Sequence, residues 1–212
     1  MLLNEDVQNQ VKDIFNQLKG NAKIKVFTQE FECQYCQDTR SLAEEIASLS
    51  DKVTVEVHDF QKDKETAEKY NIDKIPALVV EGEKDFGIRF YGIPGGYEFS
   101  SLLEAIKLAS GEESELSENT RQYLDSLNQE VHLQVFVTPT CPYCPSAVVT
   151  AYKMAQYSDK VTADGVEISE FPQIGNKYAV QGVPKTVINE TTSQEGAAPE
   201  DMIIDKIKEN TA

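Results

Sequence analysis

The chain has 212 residues, 40% hydrophobic and 26% charged, which suits one large globular domain or two small ones. With 20 basic against 36 acidic residues and a net charge of −16, it lacks the basic footprint of a nucleic-acid binder and would be repelled by an anionic membrane surface. No run of 18 apolar residues occurs, and the opening MLLNEDVQNQVKD has neither the basic nor the apolar part of a secretory signal, so a complete chain is expected to stay in the cytoplasm.

In chain order, residues 4–19 read as a helix: Asn4 can cap it, Val7, Val11, Phe15 and Leu18 recur at helical spacing, and Gly20 suits its end. KIKVFT at 23–28 alternates as a strand, Cys33-Gln34-Tyr35-Cys36 follows, and SLAEEIASL is helical with Leu42, Ile46 and Leu49 on one face. A strand is expected over 53–60, a short helix over 65–70, and a hairpin from 77–81 and 86–91. Residues 98–109 make a closing helix with Phe99, Leu102, Leu103 and Ile106 inward. The polar stretch SGEESELS at 110–117 is the expected boundary between domains 1–112 and 113–212. The second half then predicts a helix over 118–128, a strand over 131–138, Cys141-Pro142-Tyr143-Cys144, and a helix over 145–157. A strand over 166–171, a short helix, a strand over 185–189 and a helix over 200–209 complete it.

The halves repeat. Cys33 to Cys141 and Cys36 to Cys144 are both 108 residues. Ser50-Asp51-Lys52-Val53-Thr54 returns as Ser158-Asp159-Lys160-Val161-Thr162, Lys69-Tyr70 as Lys177-Tyr178, and Ile75-Pro76 as Val183-Pro184. Ala163-Asp164-Gly165 reads as three extra residues in the second copy, with register recovered before Tyr178. Each half carries a net charge of −8, so two copies of one fold are expected.

The four cysteines form two C-x-x-C pairs. A shared zinc is disfavoured by the 104 residues between Cys36 and Cys141 and by the presence of only two histidines, His58 and His132, at unrelated repeat positions and expected to be ordinary strand residues. A c-type haem needs a histidine after the second cysteine, where Gln37 and Pro145 stand. Two C-x-x-C matches in four cysteines favour a pair of dithiol/disulfide redox centres over inert buried cysteines or a structural disulfide framework. A strand, C-x-x-C, helix order places the first cysteine at a helix N-terminus, where unpaired N–H groups and the helix dipole favour a thiolate. Cys33 and Cys141 are thus the expected nucleophiles, and Cys36 and Cys144, a turn inside, the resolving thiols. Pro76 and Pro184, each 43 residues after a first cysteine, are expected to be cis and to present the backbone of Ile75 and Val183 to a bound peptide. Tyr35 and Tyr143 either pack against bound substrate or cover the sulfurs.

Each half resembles thioredoxin and glutaredoxin: C-x-x-C at a helix start, then Tyr-x-x-x-x-Pro, with C-P-Y-C at 141–144 similar to the glutaredoxin motif. The pair of motifs, together with GIRFYGIPGGYEFSSLLEAI at 87–106 and VPKTVIN at 183–189, resembles the protein disulfide oxidoreductases of thermophilic archaea and bacteria. That resemblance implies an α/β fold of two tandem thioredoxin-like domains, each a central mixed sheet flanked by helices. It implies a cytoplasmic enzyme that reduces, forms or isomerises disulfides of protein substrates, without cofactor or metal, recharged by a flavin-dependent reductase of thioredoxin-reductase type. Two features depart from it. The 14 Gln and 10 Asn are many for a hyperthermophile protein. The acid that thioredoxins bury six residues before the first cysteine is replaced by Phe27 and Val135. Asp59 and Glu170 match each other in an E-x-x-acid-Phe pattern and are expected to be solvated strand-end acids rather than buried proton relays. The rival functions are an electron relay between a flavoprotein reductase and a peroxidase, in which one C-x-x-C is usually lost, and a thiol-independent holdase chaperone. Of the two centres, C-P-Y-C is expected to dominate turnover, because Pro142 presets its geometry, and C-Q-Y-C to be the more reducing.

Overall fold

The computed structural model describes residues 2–211. Its first helix, α1 (Glu5–Asn16), starts where the Asn4 side chain accepts the Val7 N–H at 2.9 Å, and its acidic first turn, Glu5 and Asp6, complements the helix dipole. Val11 and Phe15 on its inner face are fully buried. There follow β1 (Ala22–Thr28), α2 (Cys36–Ala47), β2 (Val53–Asp59), α3 (Lys64–Lys69), β3 (Ala77–Glu81), β4 (Ile88–Tyr91) and α4 (Glu98–Ala109). The second series is α5 (Glu118–Asp125), β5 (Val131–Val137), α6 (Cys144–Tyr157), β6 (Val161–Glu167), α7 (Pro172–Lys177), β7 (Lys185–Ile188), β8 (Thr192–Glu195) and α8 (Glu200–Thr211).

All the described strands join one mixed sheet in the order β2-β1-β3-β4-β6-β5-β7-β8. Each half contributes the same arrangement: a parallel pair (β1 with β2, β5 with β6), then an antiparallel strand (β3, β7) and an antiparallel partner (β4, β8). The two units do more than touch. β4 and β6 pair in parallel, Ile88 to Ala163 through Tyr91 to Val166, and make the sheet continuous across the repeat. On one face α4 packs along α6 across this seam, where the buried Tyr152 hydroxyl donates to the Arg89 carbonyl at 2.7 Å. The opposite face carries a smaller apolar cluster that includes Phe27, Tyr70, Phe136 and Phe171.

The sequence expectations need correction in four places. The strand expected over 166–171 is β6 at Val161–Glu167, and residues 168–171 form a turn into α7. Ala163-Asp164-Gly165 is therefore no insertion: these residues lie in the seam strand, opposite Ile88, Arg89 and Phe90. Asp and Gly read as turn formers, but here Asp164 is buried and meets His132 Nε2 at 2.6 Å, and Gly165 leaves room for the Phe90 ring. His132 is accordingly an ion-pairing residue and not a bland strand position; burial opposes its protonation, but the Asp164 bond outweighs this and its pKa is raised. Finally, β8 has no counterpart among the expected elements, because TSQE is a polar, half-exposed edge strand without an apolar alternation to mark it.

Candidate active site

Both C-x-x-C pairs are disulfide-bonded, Cys33 to Cys36 and Cys141 to Cys144, with Cα separations of 5.5 and 5.4 Å. The second cysteines do not lie a turn inside their helices, as expected, but open them. α2 starts at Cys36 and α6 at Cys144, so Cys33 and Cys141 stand in the turns leading into the helices, and the second cysteines open them. The reason is local: Tyr35 and Tyr143 occupy the N-cap position, and the first long helical bond of α2 runs from the Thr39 N–H to the Tyr35 carbonyl. The order of access is still first cysteine before second. Cys33 is half-buried and Cys36 2% exposed; Cys141 is 9% and Cys144 0% exposed.

Ile75-Pro76 and Val183-Pro184 are both cis. In the second unit the Val183 carbonyl lies 3.8 Å from Cys141 Sγ, so the residue before the proline faces the first sulfur. Tyr35 and Tyr143 are exposed, Tyr143 at 71%. Neither ring is buried over the sulfurs.

The approach to each disulfide differs. Thr28 pairs with Asp59 and Val137 with Glu167 at the strand ends, so four residues precede Cys33 but three precede Cys141. Glu32, just before Cys33, takes a left-handed φ of 58°, unusual for a side-chain-bearing residue. The cleft beside Cys33 is polar and lined by first-unit residues that include Gln29, Glu30, Arg40, Asp59 and Lys62. Arg40 is held by Glu44 and Lys62 by Asp59. The same strand register corrects the count behind the sulfurs: the counterpart of Phe27 is Phe136, not Val135, and both phenylalanines are fully buried.

The acids also need reassignment. Asp59 matches Glu167 at the ends of β2 and β6, so Glu170 is not its counterpart. Asp59 holds the turn between β2 and α3, accepting the Lys62 and Gln61 N–H groups, and these bonds hold its carboxyl below the usual range. Glu170 lies in the turn after β6, where burial pushes its carboxyl up to about 7. It accepts the Ile93 N–H of the first unit at 2.8 Å, and its Oε2 is buried without a partner.

Sequence reasoning missed Glu98. It opens α4, is fully buried, accepts the Ser101 hydroxyl at 2.6 Å, and has its carboxyl pushed by burial to about 7. The N-terminus of α4 is fastened to the approach of Cys141, because the Tyr97 N–H donates to the Pro139 carbonyl at 3.0 Å. A Glu in the first turn of an amphipathic helix ordinarily reads as a dipole complement, so nothing in the sequence sets this one apart. Among the described residues, no group of His, Cys, Asp and Glu is arranged to hold a metal ion, and no helix is long and apolar enough to cross a membrane.

A model of the thioredoxin domain matches residues 22–104 and again 131–209. The chain belongs to the thioredoxin domain family. A solved thioredoxin-domain relative, a protein disulfide oxidoreductase from Aeropyrum pernix, superposes over 100% of this chain and 94% of its own with a TM-score of 0.91 and 27% identity. AhpF, a component of the alkylhydroperoxide reductase of Enterococcus faecalis, gives 0.90 and 27%, covering 100% of both chains. A curated NADH dehydrogenase of Ferdinandcohnia aciditolerans is 26% identical over 191 residues, 89% of this chain and 34% of that protein. The chain spans roughly a third of the length of the curated relatives it matches, 34–39%.

Proposed function

We propose that the protein is a thiol–disulfide oxidoreductase acting on protein disulfides through two dithiol centres. The observation that carries this reading is the duplicated geometry: in each unit a disulfide sits at a helix start, its first cysteine the more exposed, in a unit that carries a cis proline 43 residues on. In the reduced enzyme, the Cys33 or Cys141 thiolate attacks a substrate disulfide, forms a mixed disulfide and releases one substrate thiolate. Cys36 or Cys144 loses its proton, attacks the mixed disulfide, closes the enzyme disulfide and releases the second substrate thiol. Two electrons pass to the substrate, and an external dithiol must return them. At the second site the candidate acceptor for the Cys144 proton is Glu98, a buried carboxyl pushed to about 7 at the end of α4 whose preceding residue, Tyr97, is bonded to the Pro139 carbonyl. Val183 and Ile75 offer main-chain groups to an extended substrate, and Tyr35 and Tyr143 supply exposed rings beside it. The sequence halves 1–112 and 113–212 are the two units of this enzyme.

The reductant is a flavin-dependent reductase of thioredoxin-reductase type. The similarity to AhpF of an alkylhydroperoxide reductase favours a second reading, relay of electrons toward a peroxidase. Both centres are intact here, which favours the broader activity on protein disulfides.

Insulin reduction with dithiothreitol decides the main reading. The wild type should accelerate precipitation of the insulin B chain, and a variant with serine at positions 33, 36, 141 and 144 should not. Equal rates for both would contradict the proposal.

A further inference from the structure

We propose that the first unit completes the second redox site: segment 92–97 forms one wall of the substrate cleft at Cys141, Glu170 is the positioning residue that fixes it, and Tyr97 is the side chain it presents. The inference rests on the dithiol-exchange reading and adds which residues outside the second unit its substrates meet.

The segment, Gly92-Ile93-Pro94-Gly95-Gly96-Tyr97, links β4 to α4 and belongs to the first unit by sequence. It starts at the first site, where the Gly92 N–H donates to the carbonyl of Pro76 at 2.9 Å. It then leaves its own unit. The Ile93 N–H donates to Glu170 Oε1 at 2.8 Å, and the Tyr97 N–H to the Pro139 carbonyl at 3.0 Å, two residues before Cys141. The glycines are needed for this approach. Gly92 (φ 92°) lies against Glu167 and Glu170, where an added Cβ would come 3.0 Å from Glu170 Oε1. Gly96 (φ 58°) lies against Pro139, and a Cβ there would come 2.2 Å from the Pro139 carbonyl oxygen. Ile93 is half-buried against the core that includes Cys141 and Cys144. Tyr97, by contrast, is 53% exposed although its backbone is pinned beside the site.

Glu170 is poorly solvated for a group that makes one bond. Its second oxygen is buried and unpartnered, and the nearby Glu167 adds repulsion to the effect of burial. A carboxyl kept in such surroundings needs a reason, and its hydrogen bond across the seam goes to the Ile93 N–H. The first site has no such wall: residues lining the cleft at Cys33 all come from the first unit. In the second unit the equivalent step, the Gly196 N–H to the Pro184 carbonyl at 2.8 Å, is present, but the chain then passes into α8, and no third unit follows within the described residues. The occupant of the walled cleft is an extended peptide carrying a disulfide. Two exposed tyrosines, Tyr97 from one unit and Tyr143 from the other, provide flat apolar area with polar tips.

The test uses full-length protein with serine at 33 and 36, so that the Cys141–Cys144 centre alone reacts. After reduction, exchange is timed with two probes, a disulfide-linked fluorescent peptide and 2-hydroxyethyl disulfide. The quantity read is the ratio of the two rates. Tyr97→Ala and Glu170→Ala should each lower that ratio about tenfold, the effect of losing one aromatic or hydrogen-bonded contact. Glu170→Gln, which retains an acceptor for Ile93, should restore it to within about twofold. The converse background, serine at 141 and 144, should show no change of ratio with any of the three. The surface change Tyr97→Ala leaves the fold intact, so it decides the matter if Glu170→Ala fails to fold. An unchanged ratio with Tyr97→Ala, an equal fall at both centres, or a Gln variant as impaired as Ala would overturn the proposal. These rates measure thiol reactivity directly, so failure of insulin reduction in the wild type would be read separately.

Discussion

The two redox centres share a strand, a turn, a C-x-x-C and a helix, yet they are built differently around the sulfur. At the first, the approach is one residue longer, Glu32 is left-handed, Cys33 is half-buried, and the adjoining cleft is polar, with Lys62 paired to Asp59 and Arg40 to Glu44. At the second, Cys141 is 9% exposed, prolines flank and enter the motif, a segment of the other unit abuts it, and a buried acid titrating near neutrality lies at the adjacent helix end. Duplication of one fold therefore has not duplicated one site. Joining the sheets edge to edge placed the first unit's β4–α4 connection over the second unit and left the first unit without a reciprocal contribution.

That contrast can be broken at single residues. The largest expected effect is on the proton acceptor. With the first centre inactivated, Glu98→Gln should slow disulfide reduction about tenfold to a hundredfold and remove an inflection near pH 7 from the rate profile. With the second centre inactivated, the same change should matter little. Equal slowing at both would show that Glu98 supports the fold rather than the second site.

Gly96→Ala comes next. Its Cβ would collide with the Pro139 carbonyl, and its φ of 58° disfavours any side chain. Second-site turnover should fall several-fold while first-site turnover stays within about twofold, measured on the same single-centre proteins.

A smaller effect concerns stability. Glu98 has an ordinary carboxyl value of 4.5 when unfolded and about 7 when folded. Between these values the folded state holds more protons, so its stability falls as pH rises through the window and is lowest, for this group, above it. Glu98→Gln should thus stabilise the protein relative to wild type by about 1–3 kcal/mol at pH 8 and give little gain at pH 4. Urea unfolding at both pH values checks this; a larger gain at the acid end would contradict it.

The smallest effect is expected at Asp59. Its carboxylate holds the turn after β2, so Asp59→Asn should leave first-site turnover within about twofold across pH 5 to 8. A loss of tenfold or more would make it a proton relay after all.

What was legible in the sequence was what is local or repeated. The cysteine spacing, the proline recurrence and the apolar faces of α1, α2 and α4 led directly to two like units, each with its disulfide and its cis proline. What was illegible depends on contacts between the units. Asp164 and Gly165 look like a turn until β4 is laid against β6; only then does the glycine make room for Phe90 and the aspartate find His132. Glu98 and Glu170 look like ordinary surface acids, because no periodicity marks the burial of the one at the start of α4 or of the other in the turn after β6. That Cys36 and Cys144 open their helices instead of lying a turn inside was hidden because a C-x-x-C turn and a first helical turn have the same composition. The displaced Phe136 follows from a one-residue difference in the loop before Cys141, which no periodicity reveals.

The claim that the second centre, with its acid and its borrowed wall, carries most of the turnover can be tested in one assay. Insulin reduction is measured for the wild type, for the variant with serine at 141 and 144, and for the variant with serine at 33 and 36. Loss of the Cys141–Cys144 pair should remove most of the activity, and loss of the Cys33–Cys36 pair should leave a substantial fraction. Equal losses, or greater dependence on Cys33 and Cys36, would contradict the account.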